Sequence, residues 1–190
     1  MIFQIIKKIK FDLKADRLGP DIPFTHWRLY FKKSMEKLCK KKFAIFGEGA
    51  EFRAGAYADG CSKIFLGRGV VIRPGSIIFA EPSGETGKII IEDYCLLGSL
   101  VQIYASNHNF DSVRKEIYFQ GQQQGQDVVL KKGCWLGGGV IVLPGVVIGK
   151  NSVVGAGSVV TKSIPDFCVA VGNPAKIIKR LKGNTCDVEE

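Results

Sequence analysis

Residues 130–165 read LKKGCW LGGGVI VLPGVV IGKNSV VGAGSV VTKSIP, six hexads with no remainder. An aliphatic residue opens each of them: Leu130, Leu136, Val142, Ile148, Val154 and Val160. Gly133, Gly139, Gly145, Asn151 and Gly157 hold the fourth place. Glycine and asparagine tolerate positive φ, so this place is a corner. The fifth place is small or β-branched, as in Cys134, Val140, Ser152 and Ser158, which suits a second inward side chain beside the aliphatic one. The same frame runs through Leu66, Ile72 and Ile78, and again through Ile91, Leu97 and Ile103. A short strand and a corner, repeated every six residues, coil into a prism whose turns stack at the ordinary strand spacing of about 4.8 Å. A β-sandwich would instead show strands about 8–12 residues apart with period-two alternation. The chain is therefore read as all-β, a parallel solenoid.

The regime changes at both ends of the frame. Residues 1–44 scatter lysines such as Lys7, Lys8, Lys10, Lys32, Lys33 and Lys37 among Ile, Phe, Leu, Trp27 and Tyr30, with a break near GPDIP (19–23). That pattern predicts a basic helical N-terminal extension. It is expected to be dispensable for folding of the prism, and either to cap the first coil or to settle on an anionic membrane. FAIFGEGAEFRAGAYADG (43–60) reads as irregular first coils, although Phe46 and Phe52 already stand six apart. Residues 45–181 form the prism domain. In IPDFCVAVGNPAKIIKRL (164–181), Pro165 and Pro174 are expected to stop strand continuation, and AKIIKRL fits a short C-terminal helix that caps the last coil. Residues 182–190 are a tail.

With 190 residues and 46% hydrophobic content, the chain supports one domain plus an appendage. Lysine and arginine outnumber acids by 27 to 18, so an anionic partner is implied: nucleic acid, membrane or a phosphorylated small molecule. No nucleic-acid module or aromatic platform accompanies the charge, which argues against the first. Six cysteines lie dispersed with no C-x-x-C pair, so neither a zinc ribbon nor a redox motif is legible. Reduced, buried thiols in a cytoplasmic protein fit that distribution. Lysines interrupt MIFQIIKKIKFDLK, so no signal peptide is read, and no run of about 18 apolar residues suggests a spanning helix.

Two polar stretches break the rhythm, AEPSGETGK (80–88) and YASNHNFDSVRKEIYFQGQQQGQD (104–127). Long excursions from a compact fold are usually functional or disordered. The second carries His108, the only histidine outside the extension. His26, in FTHWR, is read as structural.

The hexads resemble the repeat of the left-handed parallel β-helix acyltransferases, three hexads to a coil. GCWLGGGVIVLPGVVIGKNSVVGAGSVVTKSIPDFCVAVGNPAKIIK (133–179) resembles the C-terminal half of the maltose, galactoside and cell-surface polysaccharide O-acetyltransferases. The likeness covers about residues 46–181, and left-handedness rests on it alone. It implies acetyl-CoA as acyl donor, no metal, and a homotrimer whose contacts bury flank residues such as Ile141 and Val147. SNHNFDS (106–112) resembles the family's catalytic segment, which makes His108 the general base: a hydroxyl attacks a thioester slowly until its proton is removed. Relatives often carry a second histidine where this chain has Phe110, leaving Asp111 or a backbone carbonyl to orient the ring. Trp135 would lie beside the acyl and pantetheine end. The Gly138 N–H would hold the thioester carbonyl, where a donor aimed at the developing oxyanion is needed. Ala156 would let the pantetheine arm lie flat, Thr161 and Lys162 would meet the nucleotide end, and Lys176 and Lys179 the adenosine phosphates. Arg73, Tyr104, Asn107 and Asn109 are candidates to bind the acceptor, a sugar hydroxyl of a cell-surface polysaccharide or its precursor. N-acetylation of an amino-sugar nucleotide is the alternative, and a noncatalytic β-helix scaffold the second. The γ-class carbonic anhydrases share the scaffold but need three histidines for zinc, and this chain has His26 and His108 only.

Overall fold

The structure, a computed structural model, describes residues 1–181. The expected tail (182–190) and Cys186 lie outside the described residues. Each hexad becomes a strand of two or three residues and a corner, and three strands complete a turn. The first face of the prism stacks Ile45–Phe46, Ile64–Leu66, Ile89–Ile91, Val128–Leu130 and Val147–Ile148. The second stacks Glu51–Phe52, Val71–Ile72, Leu96–Leu97, Trp135–Leu136, Val153–Val154 and Cys168–Val171. Tyr57–Asp59, Ile77–Phe79, Gln102–Tyr104, Ile141–Val142 and Val159–Val160 make the third.

Successive coils pair in parallel with the opening hexad residues aligned. On the second face Phe52 meets Ile72, Ile72 meets Leu97, Leu97 meets Leu136 and Leu136 meets Val154. This column is buried along its whole length. Apolar burial contributes about 25 cal/mol per Å², so the columns are the core. The corners carry the left-handed backbone expected of them, with φ of +74° at Gly133 and +49° at Asn151. Tyr94 and Leu100 also adopt it, at φ +60° and +62°, at a cost of about 1–2 kcal/mol each. The Tyr94 ring lies against Gly69 and takes the Arg68 and Lys132 cations at 5.9 and 5.8 Å from its centroid. Leu100 lies over Gly75.

Three expectations are corrected. The stretch 43–60 is not irregular: Phe46, Phe52 and Ala58 are the buried columns of a regular first coil on all three faces. The C-terminal helix is a strand. Lys176–Arg180 runs antiparallel to Cys168–Val171, with Cys168 opposite Arg180 and Val171 opposite Lys176. The last coil leaves Cys168–Val171 as an unpaired edge, and folding back across it satisfies those backbone groups. All five residues of the returning strand are exposed, so a helix there would have no apolar face to bury. With it goes the expected stop: Cys168–Val171 follows Pro165 and Lys176–Arg180 follows Pro174, so neither proline ends strand formation.

The third correction concerns the extension. It comprises α1 (Ile2–Lys14), the short α2 (Pro23–His26), a 3₁₀ turn (Trp27–Tyr30) and α3 (Lys32–Lys42). Arg17–Leu18 adds an antiparallel edge strand to Tyr57–Asp59. Leu18, Leu29, Met35, Leu38 and Cys39 are buried in the same core as the prism, and Phe43 packs on Phe52 with ring centroids 5.3 Å apart. Residues 17–43 are therefore the lid of the first coil, not a dispensable appendage. Only α1 stands off.

The second hexad position leaves no room for a side chain where coils are close. A Cβ on Gly137 would lie 2.6 Å from the Ala156 nitrogen, whereas one on Gly157, at φ +69°, would meet nothing within 4 Å. Gly137→Ala is expected to destabilise the protein more than Gly157→Ala, which carries only the left-handed strain of about 1–2 kcal/mol. Urea denaturation of the two variants measures the difference, and equal midpoints would show that the coils yield freely at Gly137.

Candidate active site

The excursion at 104–127 leaves the third face at Tyr104 and returns to the first at Val128. It forms a closed arm. Gln126 N–H donates to the Ala105 carbonyl at 2.7 Å, Gln123 N–H to Asn107 at 2.8 Å, and Asn109 N–H to Gly121 at 3.0 Å. His108 sits in that ladder, bridged to Gln122 on the returning strand. Its backbone is fixed and its imidazole is exposed. Beneath it opens a cavity of about 270 Å³ lined by Phe79, Tyr104, Ser106, Asn107, His108 and Gln122. A base on a braced arm over a partly apolar hollow is the arrangement proton transfer to or from a bound hydroxyl needs.

The expected acceptor residues divide. Tyr104 and Asn107 line the His108 cavity, with the Tyr104 hydroxyl donating to Gln102 Oε1 at 2.7 Å. Asn109 braces the arm instead, its amide donating to the Gln120 and Gln122 carbonyls at 3.1 and 3.0 Å. Among the described residues Asp111 makes no hydrogen bond to His108. Arg73 belongs to a second cavity of about 510 Å³, on the second face, whose walls include Arg53, Ser99, Trp135, Gly137 and Gly138.

That second cavity gathers the expected acyl end of the donor site. Trp135 is half exposed on the second face. Gly138 follows at the next corner, its carbonyl accepting from Gly157 N–H at 2.9 Å. Among the described residues its own N–H meets no backbone acceptor. Ala156 occupies the same corner one coil further on and is exposed. Thr161 and Lys162 lie at the following corner, and Lys176 and Lys179 on the terminal strand, all exposed. The small residues stack at one corner, while the cations stand at the next corner and on the terminal strand; such cations suit a ligand with an anionic terminus.

The reading of the sequence missed the support beneath the arm. Glu81 is almost fully buried, and its Oε1 accepts from the Ser83 N–H at 3.1 Å and hydroxyl at 2.5 Å. Burial pushes its carboxyl upward, but the Ser83 hydrogen bonds and the Ser106 side chain more than offset this and hold it below the usual range. A Cβ on Gly87 or Gly125 would collide with Glu81 Cβ, so both excursions pack on one carboxylate. The signal was a glycine in each polar stretch. Lys63 Nζ donates to the Ser83, Gly84 and Thr86 carbonyls at 3.0, 2.7 and 3.0 Å, which fixes the shorter loop.

A three-sided parallel β-helix with a braced loop histidine and a small-residue groove defines the acyltransferases built on hexapeptide repeats. A family model for bacterial transferase hexapeptides, six repeats long, matches residues 127–162. The galactoside O-acetyltransferase of Lactococcus lactis is 36% identical over 146 residues, 76% of this chain and 67% of that one. A maltose O-acetyltransferase structure from Clostridium difficile superposes with a TM-score of 0.69 at 32% identity, covering 80% of this chain and 78% of that one. A galactoside acetyltransferase in complex with coenzyme A gives 0.73 at 27% identity, over 95% of this chain and 80% of that one. The chain belongs to the hexapeptide-repeat acyltransferases, in the group of the galactoside and maltose O-acetyltransferases.

His26, expected to be structural, lies outside both cavities. Its Nε2 accepts from Gly55 N–H at 3.2 Å, joining the lid to the prism, and Nδ1 is buried without a partner among the described residues. Burial lowers its pKa, partly opposed by Asp21. The folded protein thus binds this proton less readily than the unfolded chain. Its contribution to stability is complete above the ordinary value of about 6.5 and is lost as pH falls through the lowered folded value. Thermal melts are expected to decline over that window in the native protein and less in His26→Gln, whose baseline would be lower. A parallel decline in both would remove His26 from the acid sensitivity.

Proposed function

We propose that this protein transfers an acetyl group from acetyl-CoA to a hydroxyl of a sugar in a cell-surface polysaccharide or its precursor, working as a homotrimer. The observation that carries the reading is the exposed His108 imidazole on its braced arm above a cavity of sugar-sized volume. The names of the relatives, O-acetyltransferases of galactosides and maltose, support a sugar hydroxyl as acceptor. The relative solved with coenzyme A supports the donor.

In this mechanism neutral His108 takes the proton of the acceptor hydroxyl as its oxygen attacks the thioester carbonyl. Negative charge collects on the carbonyl oxygen, where the Gly138 N–H receives it. The C–S bond then breaks, and the imidazolium returns the proton to the departing thiolate. No acyl-enzyme forms, because the acceptor is itself the nucleophile. Trp135 flanks the acyl end, Ala156 leaves space for the pantetheine arm, and Thr161, Lys162, Lys176 and Lys179 hold the nucleotide.

His108→Ala is expected to lower kcat by about 10²- to 10⁴-fold, with acetyl-CoA affinity and trimer mass unchanged. Lys162→Ala should raise the acetyl-CoA KM about tenfold or more, the worth of a charged hydrogen bond, and leave the sugar KM alone. The assay compares free sugars, lipid-linked glycans and amino-sugar nucleotides as acceptors. A His108→Ala enzyme with native kcat would exclude His108 as the base, and transfer only to the amino sugars would replace the hydroxyl reading.

A further inference from the structure

The N-terminal segment holds nearly all of the chain's net charge. Residues 1–44 carry twelve lysines and arginines against four acids, so eight of the nine net positive charges lie in them. The remaining residues are close to balanced.

Within that segment α1 is built inside out. Ile2, Ile5, Ile6, Ile9 and Leu13 recur at spacings of three and four, which lines them along one side of the helix. Such a stripe ordinarily packs on a core. Here the one buried residue of α1 is Asp12, which pairs with Lys8 Nζ at 2.8 Å and accepts from Phe24 N–H at 3.2 Å. Lys42 also ties to the C-terminal end of α1 through the Leu13 carbonyl at 3.1 Å. Polar contacts thus hold the helix to the body, with Ile9 half-buried beside them, while along the stripe Ile2 is 73% exposed and Ile5, Ile6 and Leu13 are 44, 46 and 48% exposed; Phe3, on the lysine flank, is 73% exposed as well. Lys7, Lys10 and Lys14 follow one flank of the stripe. Lys14 and Lys41 border the same depression, so the basic surface of α3 continues that of α1.

We propose that α1, with the basic surface of α3, is a docking surface for an anionic lipid bilayer. An exposed apolar stripe flanked by lysines enters the boundary between acyl chains and headgroups, and each lysine near an anionic surface adds to the attraction. A second copy of the chain is a poorer occupant, because residues outside the segment offer no excess of negative charge to meet it. Nucleic acid would match the lysines but not the isoleucines. The contact is peripheral: among the described residues no helix is long and apolar enough to cross a membrane.

The surface lies at the end of the face that bears the histidine arm. Arg17–Leu18, directly after α1, is the edge of the sheet that continues through Tyr57–Asp59 and Ile77–Phe79 to Gln102–Tyr104. Three strand spacings, roughly 15 Å, separate that edge from the strand where the arm leaves. The docking proposal stands independently of the acetyl-transfer reading.

Flotation of the full-length protein with phosphatidylcholine vesicles, with and without about one-third phosphatidylglycerol, tests it. The protein is expected to float with the anionic vesicles and to stay in solution with pure phosphatidylcholine. Replacing Lys7, Lys10 and Lys14 together by Gln should weaken partition about a hundredfold. Replacing Ile2, Phe3 and Ile6 together by Ser should abolish it, with circular dichroism, trimer mass and acetyl transfer to a soluble sugar retained. Absence of flotation, or equal flotation on both vesicles, overturns the proposal. So does full binding by the Ser variant, which would mean a general affinity for polyanions. Loss of trimer mass in that variant would assign the stripe to a neighbouring copy and overturn it as well.

Discussion

Coils that stack in parallel at about 4.8 Å force each hexad position to lie over its counterpart in the next coil, and the rest of the molecule follows from that register. A choice of residue is made once per column, not once per site. The first position must be apolar all the way down, as Phe52, Ile72, Leu97, Leu136 and Val154 are. The second position of that column is less uniform: Arg53 and Arg73 hold it in the first two coils, whereas further on a Cβ on Gly98 would come within 2.7 Å of the Gly138 nitrogen, so Gly98, Gly137 and Gly155 stand where close coils exclude side chains. On the proposed function, the same exclusion shapes the donor site. Gly98, Ser99, Gly137, Gly138, Gly155 and Ala156 are a strip of small residues, and among the described residues the Ser99, Gly138 and Ala156 N–H groups meet no backbone acceptor, while those of Gly98, Gly137 and Gly155 donate to the neighbouring coil.

Register also dictates where the chain can depart from the prism. An insertion within a strand would misalign every column after it, whereas one at a corner lengthens only a loop. Both excursions leave at the corner between the third and first faces, after Ile77–Phe79 and after Gln102–Tyr104 in successive coils. They are therefore neighbours and brace each other. Lys88 N–H donates to Asp127 Oδ1 at 2.8 Å, and Gly87 and Gly125 close on Glu81. The arm that carries His108 has a rigid base because the shorter loop lies beneath it, so the imidazole is placed by backbone contacts and not by its own packing.

The prism was legible in the sequence because one residue in six reports its column, and a column tolerates few residue types. The first coil was harder: Ala58 is a weak hydrophobic mark, and Glu48 and Glu51 between Phe46 and Phe52, with Arg53 directly after, suit irregular chain as well as a coil. Lys176–Arg180 was misread for a different reason. KIIKR satisfies helix propensity as readily as strand pairing, and what decides is the open edge of Cys168–Val171, which exists only once the solenoid is built. His108 stood out by breaking the rhythm, and Trp135, Gly138 and Ala156 by likeness to a family. Asn109 and Glu81 could not be sorted from sequence: an asparagine amide in a loop serves a ligand or its own backbone equally well, and Glu81 looks like any surface acid until Gly87 and Gly125 bury it.

The two cavities share no residue: His108 lies over one, and Trp135 and Gly138 line the other. On the proposed mechanism the hydroxyl that the base deprotonates must attack the carbonyl that the oxyanion donor holds, so a single protomer carries two halves of a reaction centre. The arm carries a further incomplete feature. Its tip bears Phe110, Val113, Tyr118 and Phe119, and Val113 is 99% exposed. The proposed homotrimer would answer both, with a neighbour's flank covering the tip and its small-residue strip opposite His108. Cyclic symmetry in that trimer would gather the three copies of α1 at one end of the assembly. Three weak lipid contacts on one rigid body bind far more tightly than one, so on the proposed docking a helix whose own adhesion is slight would suffice to hold the protein at an anionic surface.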